Sequence, residues 1–200
     1  MNRHQQGLYW LVLSAGLAAA TAWLGYTGGQ ANQSPLISAL TWTGRLAFAV
    51  FLIPLFASPM RALWRTPLTA RLLRWRRNAG IAYGGIQCVH LVLILAMFVT
   101  IAAPPVESAM VVIGGLGMLL ALMMLWTSFD GPTRRLGPQR WRLLHKSGFY
   151  VFMFIYVYDF VVEPLMFNSF NTYVPYAALT LGGMALRTAA WLKPARKVTV

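Results

Sequence analysis

Two histidines, His90 and His145, each lie in a strongly apolar stretch of this 200-residue chain, and the third, His4, belongs to the N-terminal tail. An ionisable side chain inside a membrane helix is costly and usually has a functional partner. Imidazole is the commonest metal ligand in proteins and a frequent axial ligand of haem iron. His90 and His145 are therefore the first candidates for metal or haem coordination, with an interhelical hydrogen bond as the structural alternative.

The composition indicates a membrane protein. Apolar residues make up 58% of the chain and charged residues 10%, whereas a soluble domain has roughly 25% charged residues. Six apolar stretches have lengths that suit a bilayer, which needs about 17 to 25 residues for a helix. We therefore predict an all-α, integral membrane six-helix bundle that forms a single transmembrane domain over residues 1–200. The predicted spans are 8–26, 36–57, 80–103, 109–128, 144–162 and 173–192.

The formal net charge of +13 is distributed unevenly along the chain. The connections 27–35, 104–108 and 163–172 contain no lysine or arginine. Bases concentrate in the two other connections and in the tails: Arg3, Arg61, Arg65, Arg71, Arg74, Arg76, Arg77, Arg134, Arg135, Arg140, Arg142, Lys193, Arg196 and Lys197. This separation is the positive-inside pattern and predicts that both termini are cytoplasmic. It favours contact with membrane lipid headgroups and argues against a nucleic-acid partner.

Several redox motifs are missing from the sequence. Cys88 is the only cysteine, which excludes an intrachain disulfide and C-x-x-C-H attachment of haem. The sequence contains neither a G-x-G-x-x-G fingerprint nor a P-loop, so no nucleotide-binding domain is predicted. Any electrons that pass through the chain must come from another molecule.

The two histidines lie on helical faces of different character. Tyr83, Gln87 and His90 follow at i, i+4 and i+7, which predicts a polar face directed into the bundle. His145 begins a second face that carries three aromatic residues and ends in two acids: Phe149, Phe152, Tyr156, Asp159 and Glu163. These aromatic side chains could wall a flat macrocycle or simply pack. Three bases near His145 could hold haem propionates or a flavin phosphate, or anchor the helix at headgroups: Arg140, Arg142 and Lys146.

Arg45 is a base placed well inside the second predicted span. An arginine at the centre of a membrane helix costs about 2.5 to 3.5 kcal/mol on insertion scales, so it requires an acceptor. Asp159 is predicted to lie in the same outer half of the bundle. An Arg45–Asp159 ion pair is one interpretation, and contact of Arg45 with a haem propionate or an anionic substrate headgroup is the other.

Three motifs resemble the ferric-reductase-like transmembrane family. Thr43-Gly44-Arg45-Leu46-Ala47, followed by Pro59-Met60-Arg61, resembles its second helix. Arg76-Arg77-x-x-Gly80 leading to His90 resembles the third helix, and Arg134-Arg135-Leu136-Gly137-Pro138-x-Arg140-Trp141-x-x-Leu144-His145 resembles the fifth. Within that family, the chain is similar to haem-binding membrane subunits of the bacterial periplasmic methionine sulfoxide reductase system. The resemblance implies b-type haem between the third and fifth helices, with His90 and His145 at ligand positions.

The chain departs from the family pattern at one position. The pattern has a further histidine thirteen residues after the one matched by His145, and here that position is Tyr158. His90 lies about 15 Å from Gly80, and His145 only about 6 Å from Trp141, at 1.5 Å per residue. The two histidines share a haem only if their helices are offset by about six residues or strongly tilted. Otherwise His90 would bind an outer haem, either with a second ligand such as Tyr158 or Met153 or with none. His145 would then bind an inner haem, a quinone or a flavin headgroup.

The resemblance implies a membrane electron-transfer subunit, and two other functions remain open. As an electron carrier, the chain would hold one or two b-type haems, and FMN or quinone are further cofactor candidates. A quinol or flavin reductase would be the donor and a protein on the outer side the acceptor, in a bacterial inner membrane. The alternatives are a haemless scaffold or assembly protein and a small anion or proton transporter. The predicted binding residues are His90, His145, Tyr158, Met153, Arg45, Arg77, Arg142 and Lys146, with the two histidines as metal ligands.

Overall fold

The computed structural model of the chain describes residues 2–29, 33–102, 108–167 and 170–193, and over these ranges it contains helices and no strand. The prediction of an all-helical chain is confirmed. The elements are α1 (Arg3–Thr27), α2 (Pro35–Leu63), α3 (Pro67–Thr100), α4 (Ser108–Trp126), α5 (Asp130–Leu136), α6 (Pro138–Val157), a π-helical segment (Tyr158–Val162), α7 (Glu163–Met166) and α8 (Phe170–Leu192).

Local sequence signals determine where several helices begin. Asn2 and Gln5 form a reciprocal capping box at the start of α1, in which each side chain accepts a hydrogen bond from the backbone N–H of the other. Proline is the first residue of α2, α3 and α6, a position where its missing N–H costs little. Between α5 and α6, Gly137 has a φ of +76°, a left-handed conformation that glycine adopts without a steric penalty.

Four helical stretches are long and apolar enough to cross a membrane: Arg3–Thr27, Pro35–Leu63, Pro67–Thr100 and Pro138–Met166. They contain the first, second and fifth predicted spans and most of the third, whose last residue, Ala103, lies outside the described residues. The fourth predicted span, 109–128, would add a fifth crossing if Met110–Trp126 and Asp130–Leu136, which are bent by 106° relative to each other, count as one span. The sixth, 173–192, is helical within α8 but is not among these candidates, so its crossing stays a prediction.

The basic connection between the second and third spans is mostly helical rather than a loop. Helix α2 continues to Leu63 and α3 begins at Pro67, so only residues 64–66 separate them. The 34 residues of α3 are about 51 Å long, well beyond the bilayer core of about 30 Å. The bases of this connection therefore lie on helical extensions, except Arg65, which lies between the two helices. Arg196 and Lys197, predicted in the C-terminal tail, lie outside the described residues.

The chain divides into two compact units, the first of which consists of Met1–Phe51 and Arg77–Ile155. In this unit α3 packs closely on two neighbours. A Cβ on Gly84 would lie 2.8 Å from the Leu125 side chain of α4, and one on Gly85 would collide with Ser14 of α1. An aromatic core adjoins these contacts, with the Tyr83 ring 5.9 Å from Phe51 and 5.0 Å from Phe152.

The second unit consists of Leu52–Arg76 and the chain from Tyr156 onwards. Its core is aromatic: the Phe160 ring lies 5.8 Å from Tyr156 and 4.9 Å from Tyr176. Lys193 donates hydrogen bonds to the carbonyl oxygens of Ala62 and Leu63, at 3.2 and 3.0 Å. These bonds satisfy carbonyl groups at the C-terminus of α2, which have no partner within the helix.

Candidate functional site

His90 lies in α3 and contacts α2 through one ring nitrogen. Its Nδ1 is 2.8 Å from the hydroxyl oxygen of Thr43, a side chain with no exposed surface. The Thr43 hydroxyl also lies 3.0 Å from the carbonyl oxygens of Ala39 and Leu40 in its own helix. The other ring nitrogen of His90, Nε2, has no hydrogen-bond partner among the described residues.

This geometry fits an axial ligand of haem iron. A histidine that binds a metal usually engages its second nitrogen in a hydrogen bond, which orients the ring. Among the described residues, no group of three or more His, Cys, Asp or Glu side chains could hold a metal ion. A site formed by the protein alone would require such a group, whereas haem brings four nitrogen ligands and needs one or two from the protein.

His145 is held quite differently, at the junction of α4, α5 and α6. Its Nε2 lies 3.2 Å from the hydroxyl oxygen of Thr127. Its ring stacks on the indole of Trp141, with centroids 4.2 Å apart and planes inclined by 27°. The indole N–H of Trp141 in turn donates to the carbonyl oxygen of Thr127 at 2.9 Å. Ligation through Nε2 would therefore have to replace the contact with Thr127.

Further side chains reinforce this junction. Arg77 of α3 donates to the carbonyl oxygen of Ser128 at 3.1 Å. The hydroxyl of Thr133 donates to the same Thr127 carbonyl that accepts from Trp141. We refer to Arg77, Thr127, Ser128, Trp141 and His145 as the His145 corner. Because its hydrogen bonds satisfy carbonyl groups near the end of α4, the corner stabilises the 106° bend between α4 and α5.

The two histidines lie at different levels of the first unit. The rings of Tyr83 and Phe152 are in contact and mark a common level of α3 and α6. His90 follows Tyr83 by seven residues, whereas His145 precedes Phe152 by seven. Arg77 of α3 reaches the corner that contains His145, so α3 and α6 run in the same direction. At 1.5 Å per residue, the histidines are about 20 Å apart along the bundle, too far for both to bind one iron.

Five other predicted site residues also belong to the first unit. Met153 follows Phe152 by one residue, so it lies about 9 Å below the level of His90 at 1.5 Å per residue. Arg45 is half-buried in α2, two residues beyond Thr43. Arg142 and Lys146 are exposed and make no hydrogen bond with any described residue. Arg77 supports the His145 corner through its hydrogen bond to the Ser128 carbonyl.

Tyr158 and both candidate acids belong to the second unit. Tyr158 and Asp159 are the first two residues of the π-helical segment, and Glu163 begins α7 directly after it. A π-helical turn inside an α-helix is rare and often lies at a functional site. The predicted pairing of Asp159 with Arg45 and the role of Tyr158 as an iron ligand both stay predictions.

No role was predicted for the residues that contact the histidines. Thr43 was noted only as the first residue of the motif Thr43-Gly44-Arg45-Leu46-Ala47, and Thr127 lies in an apolar stretch with no distinguishing local pattern. Trp141, however, precedes His145 by four residues and so lies on the same helical face. That spacing was sufficient to predict the stacking of the two rings. On α3, the predicted polar face is confirmed in part, because the Gln87 amide donates to the Tyr83 hydroxyl at 2.7 Å.

Comparison with known proteins identifies the family. The family described as ferric reductase like transmembrane component matches residues 43–157, more than half of the chain. The chain belongs to the ferric reductase-like transmembrane family. The region that matches this family begins at Thr43 and includes His90, Thr127 and His145.

Three bacterial relatives in the ferric reductase-like family carry the name protein-methionine-sulfoxide reductase heme-binding subunit MsrQ. The protein from Cronobacter sakazakii is 30% identical over 68% of this chain and 71% of its own length. The Polaromonas naphthalenivorans protein is 27% identical over 89% of this chain and 83% of its own length. The Rhodospirillum rubrum protein is 29% identical over 62% of this chain and 62% of its own length. No solved structure matches the chain. With its apolar helices, this membership makes the chain a multi-pass protein of a bacterial inner membrane.

Proposed function

We propose that the chain is a haem b-binding subunit that carries electrons across the membrane, with His90 as an axial ligand. The observation that carries the proposal is the engagement of His90 Nδ1 by Thr43, which leaves Nε2 available. When bound, haem supplies an iron that alternates between ferric and ferrous states. The names of the MsrQ relatives, which are heme-binding subunits, support the same function.

In this proposal, His145 lies at the opposite end of the electron-transfer path from His90. Its Nε2 is engaged by Thr127 and its ring is covered by Trp141, so we assign it to the electron-entry region rather than to the same iron. The exposed side chains of Arg142 and Lys146 lie on the same helix. Their positive charges suit the phosphate of a flavin such as FMN, and a quinol headgroup near His145 is the alternative donor. The acceptor is a redox partner protein on the outer side.

The outer site has further candidate components. Arg45 would either hold a haem propionate or pair with Asp159, since a half-buried guanidinium in an apolar helix needs an anion. Tyr158 or Met153 would be the second axial ligand of the His90 haem. Tyr158 takes the position of the family's further histidine. Met153 lies about 9 Å below the level of His90, at 1.5 Å per residue.

The proposed topology is a single domain with six spans and both termini in the cytoplasm. It is supported by the complete absence of lysine and arginine from three alternate connections. In this topology the bent pair of α4 and α5 is one crossing and α8 is the sixth. Reporter fusions after Gly137 should then indicate the cytoplasm, and fusions near Val106 the outer side; the reverse assignment at both positions would refute it.

The optical spectrum of the purified protein tests the proposed function. We expect the sharp bands of reduced b-type haem in the wild-type protein and their loss in His90→Ala, because that variant lacks the imidazole ligand. His4→Ala is the matched control, since His4 lies outside the family match and contacts the ring of Phe129. It should retain the full haem content.

Two results would contradict the proposal. A folded wild-type protein without haem bands would favour a haemless scaffold or a transporter of the same fold. Unchanged haem content and spectrum in His90→Ala would remove His90 from the iron. A pyridine haemochrome assay gives the number of haems per chain, and His145→Ala shows whether a second haem depends on His145.

A further inference from the structure

Thr43 makes more contacts through its hydroxyl than that group has protons to donate. A hydroxyl group has one proton and two acceptor lone pairs. The Thr43 oxygen lies 3.0 Å from the carbonyl oxygens of Ala39 and Leu40, which can only accept, and 2.8 Å from Nδ1 of His90. If the proton is directed to the helix carbonyls, the oxygen accepts from His90, and Nδ1 carries the ring proton.

Two observations favour this direction. Threonine hydroxyls elsewhere in the chain donate to the carbonyl four residues earlier, as Thr21, Thr100 and Thr180 do. The reverse arrangement would place the ring proton on Nε2, which has no acceptor among the described residues. An N–H without an acceptor in an apolar setting is unfavourable. The arrangement with the proton on Nδ1 gives the ring N–H an acceptor, and the lone pair of Nε2 then lacks a donor among the described residues.

We propose that Thr43 is a positioning residue that fixes the tautomer and orientation of His90, leaving the Nε2 lone pair directed away from α2. This inference rests on the proposed function, because it concerns the ligand His90. Thr43 is fully buried, and a Cβ built on Gly44 would lie 3.8 Å from Cε1 of the ring, in ordinary van der Waals contact, so the ring packs directly against α2.

The hydrogen bond should also affect the iron potential. An imidazole that donates from Nδ1 is a more basic ligand, and a more basic ligand favours the ferric state. Loss of the Thr43 acceptor should therefore raise the midpoint potential. Loss of a partner of this kind typically lowers metal affinity or activity about 10- to 100-fold, so haem retention should fall as well.

The experiment compares three variants of the full-length, haem-loaded protein. Thr43→Val removes the hydroxyl at nearly constant shape, and Thr43→Ser restores it. Thr41→Val is the matched control on the same helix, because the Thr41 hydroxyl donates only to the carbonyl of Ile37. The readouts are the midpoint potential from spectroelectrochemistry, the iron–histidine stretch from resonance Raman spectra, and the rate of haem loss to apomyoglobin.

We expect a higher potential, a weaker iron–histidine stretch and faster haem loss in Thr43→Val, with Thr43→Ser and Thr41→Val close to wild type. Wild-type values in Thr43→Val, in a protein whose haem is lost in His90→Ala, would overturn the role of Thr43 while preserving the proposed function. A wild-type protein that binds no haem would overturn both. If Thr43→Val does not accumulate, Thr43→Ala provides the same comparison without the β-branched side chain.

Discussion

His90 and His145 sit in similarly apolar sequence, yet the two rings are held through opposite nitrogens. His90 is bonded at Nδ1 by a threonine of the neighbouring helix. His145 is bonded at Nε2 by a threonine and is stacked on a tryptophan of its own helix. The first arrangement leaves the nitrogen that most often binds haem iron available, and the second engages it. The nitrogen that is engaged, rather than burial alone, separates a candidate ligand from a residue that stabilises a helix junction.

The contacts of His90 and those of the His145 corner should also contribute differently to the stability of the protein. The His90 contact is a single hydrogen bond between α2 and α3. The His145 corner combines one aromatic stack with several hydrogen bonds around a sharp bend. Substitutions in the His145 corner should therefore alter the stability of the protein, whereas substitutions around His90 should alter haem binding and the potential of the haem iron. The two sets of effects should be independent, because residues more than about 10 Å apart usually contribute additively.

The largest effect on stability is expected for Trp141→Ala. The substitution removes the stack on His145 and the bond to the Thr127 carbonyl, and loss of a packed tryptophan typically costs about 3 to 5 kcal/mol. Trp141→Phe keeps the stack and should cost about 1 kcal/mol. Unfolding in mixed micelles with increasing SDS measures both.

Trp191→Ala is the control, since that side chain is 82% exposed and should change stability by about 0.5 kcal/mol or less. A change of the haem spectrum in Trp141→Ala would show that the two regions are coupled and would break the distinction between them.

A smaller effect is expected from the threonine of the corner. Thr127→Val removes the hydroxyl that lies 3.2 Å from Nε2 of His145, so we expect a loss of about 1 to 2 kcal/mol. Combining Thr127→Val with His145→Ala in a double-mutant cycle should give a coupling energy of about 0.6 kcal/mol, the average for hydrogen bonds between membrane helices. Strict additivity would mean that the 3.2 Å contact contributes nothing to stability.

The smallest effect is expected from the bases. Arg77→Gln removes the donor to the Ser128 carbonyl and should destabilise the protein by about 0.5 to 1.5 kcal/mol. Arg142→Gln serves as the comparison, because Arg142 is exposed and makes no hydrogen bond with the described residues. It should leave unfolding unchanged while weakening binding of FMN, as measured by flavin fluorescence. Equal destabilisation by both substitutions would remove Arg77 from the corner.

The sequence predicted the helical class and most of the spans, because hydropathy reports directly on burial in lipid. It placed the bases of residues 61–77 in a loop, whereas all of them except Arg65 lie on helical extensions, since hydropathy indicates where the apolar core ends and not where the helix ends. The aromatic face after His145 was predicted correctly: Phe149 and Phe152 are buried. The spacing of these residues along one helix was sufficient to predict that they share a face.

The contacts of the candidate site could not be predicted in the same way. Thr43 and His90 are 47 residues apart in sequence, and their pairing depends on the register between α2 and α3. That register follows from packing between the two helices, including the ring contact of Phe51 with Tyr83. Likewise, the level difference between His90 and His145 emerges only from the ring contact of Tyr83 with Phe152.

The hydrogen bond between the fully buried hydroxyl of Thr43 and the partly buried ring of His90 also has a consequence for isotope exchange. A proton held on Nδ1 exchanges with solvent only when this hydrogen bond between α2 and α3 opens. Its replacement by deuterium would then report the free energy of that opening, as slow amide protons do in the most stable parts of a fold. The exchange of this one imidazole proton would thus measure how often α2 and α3 open at this hydrogen bond.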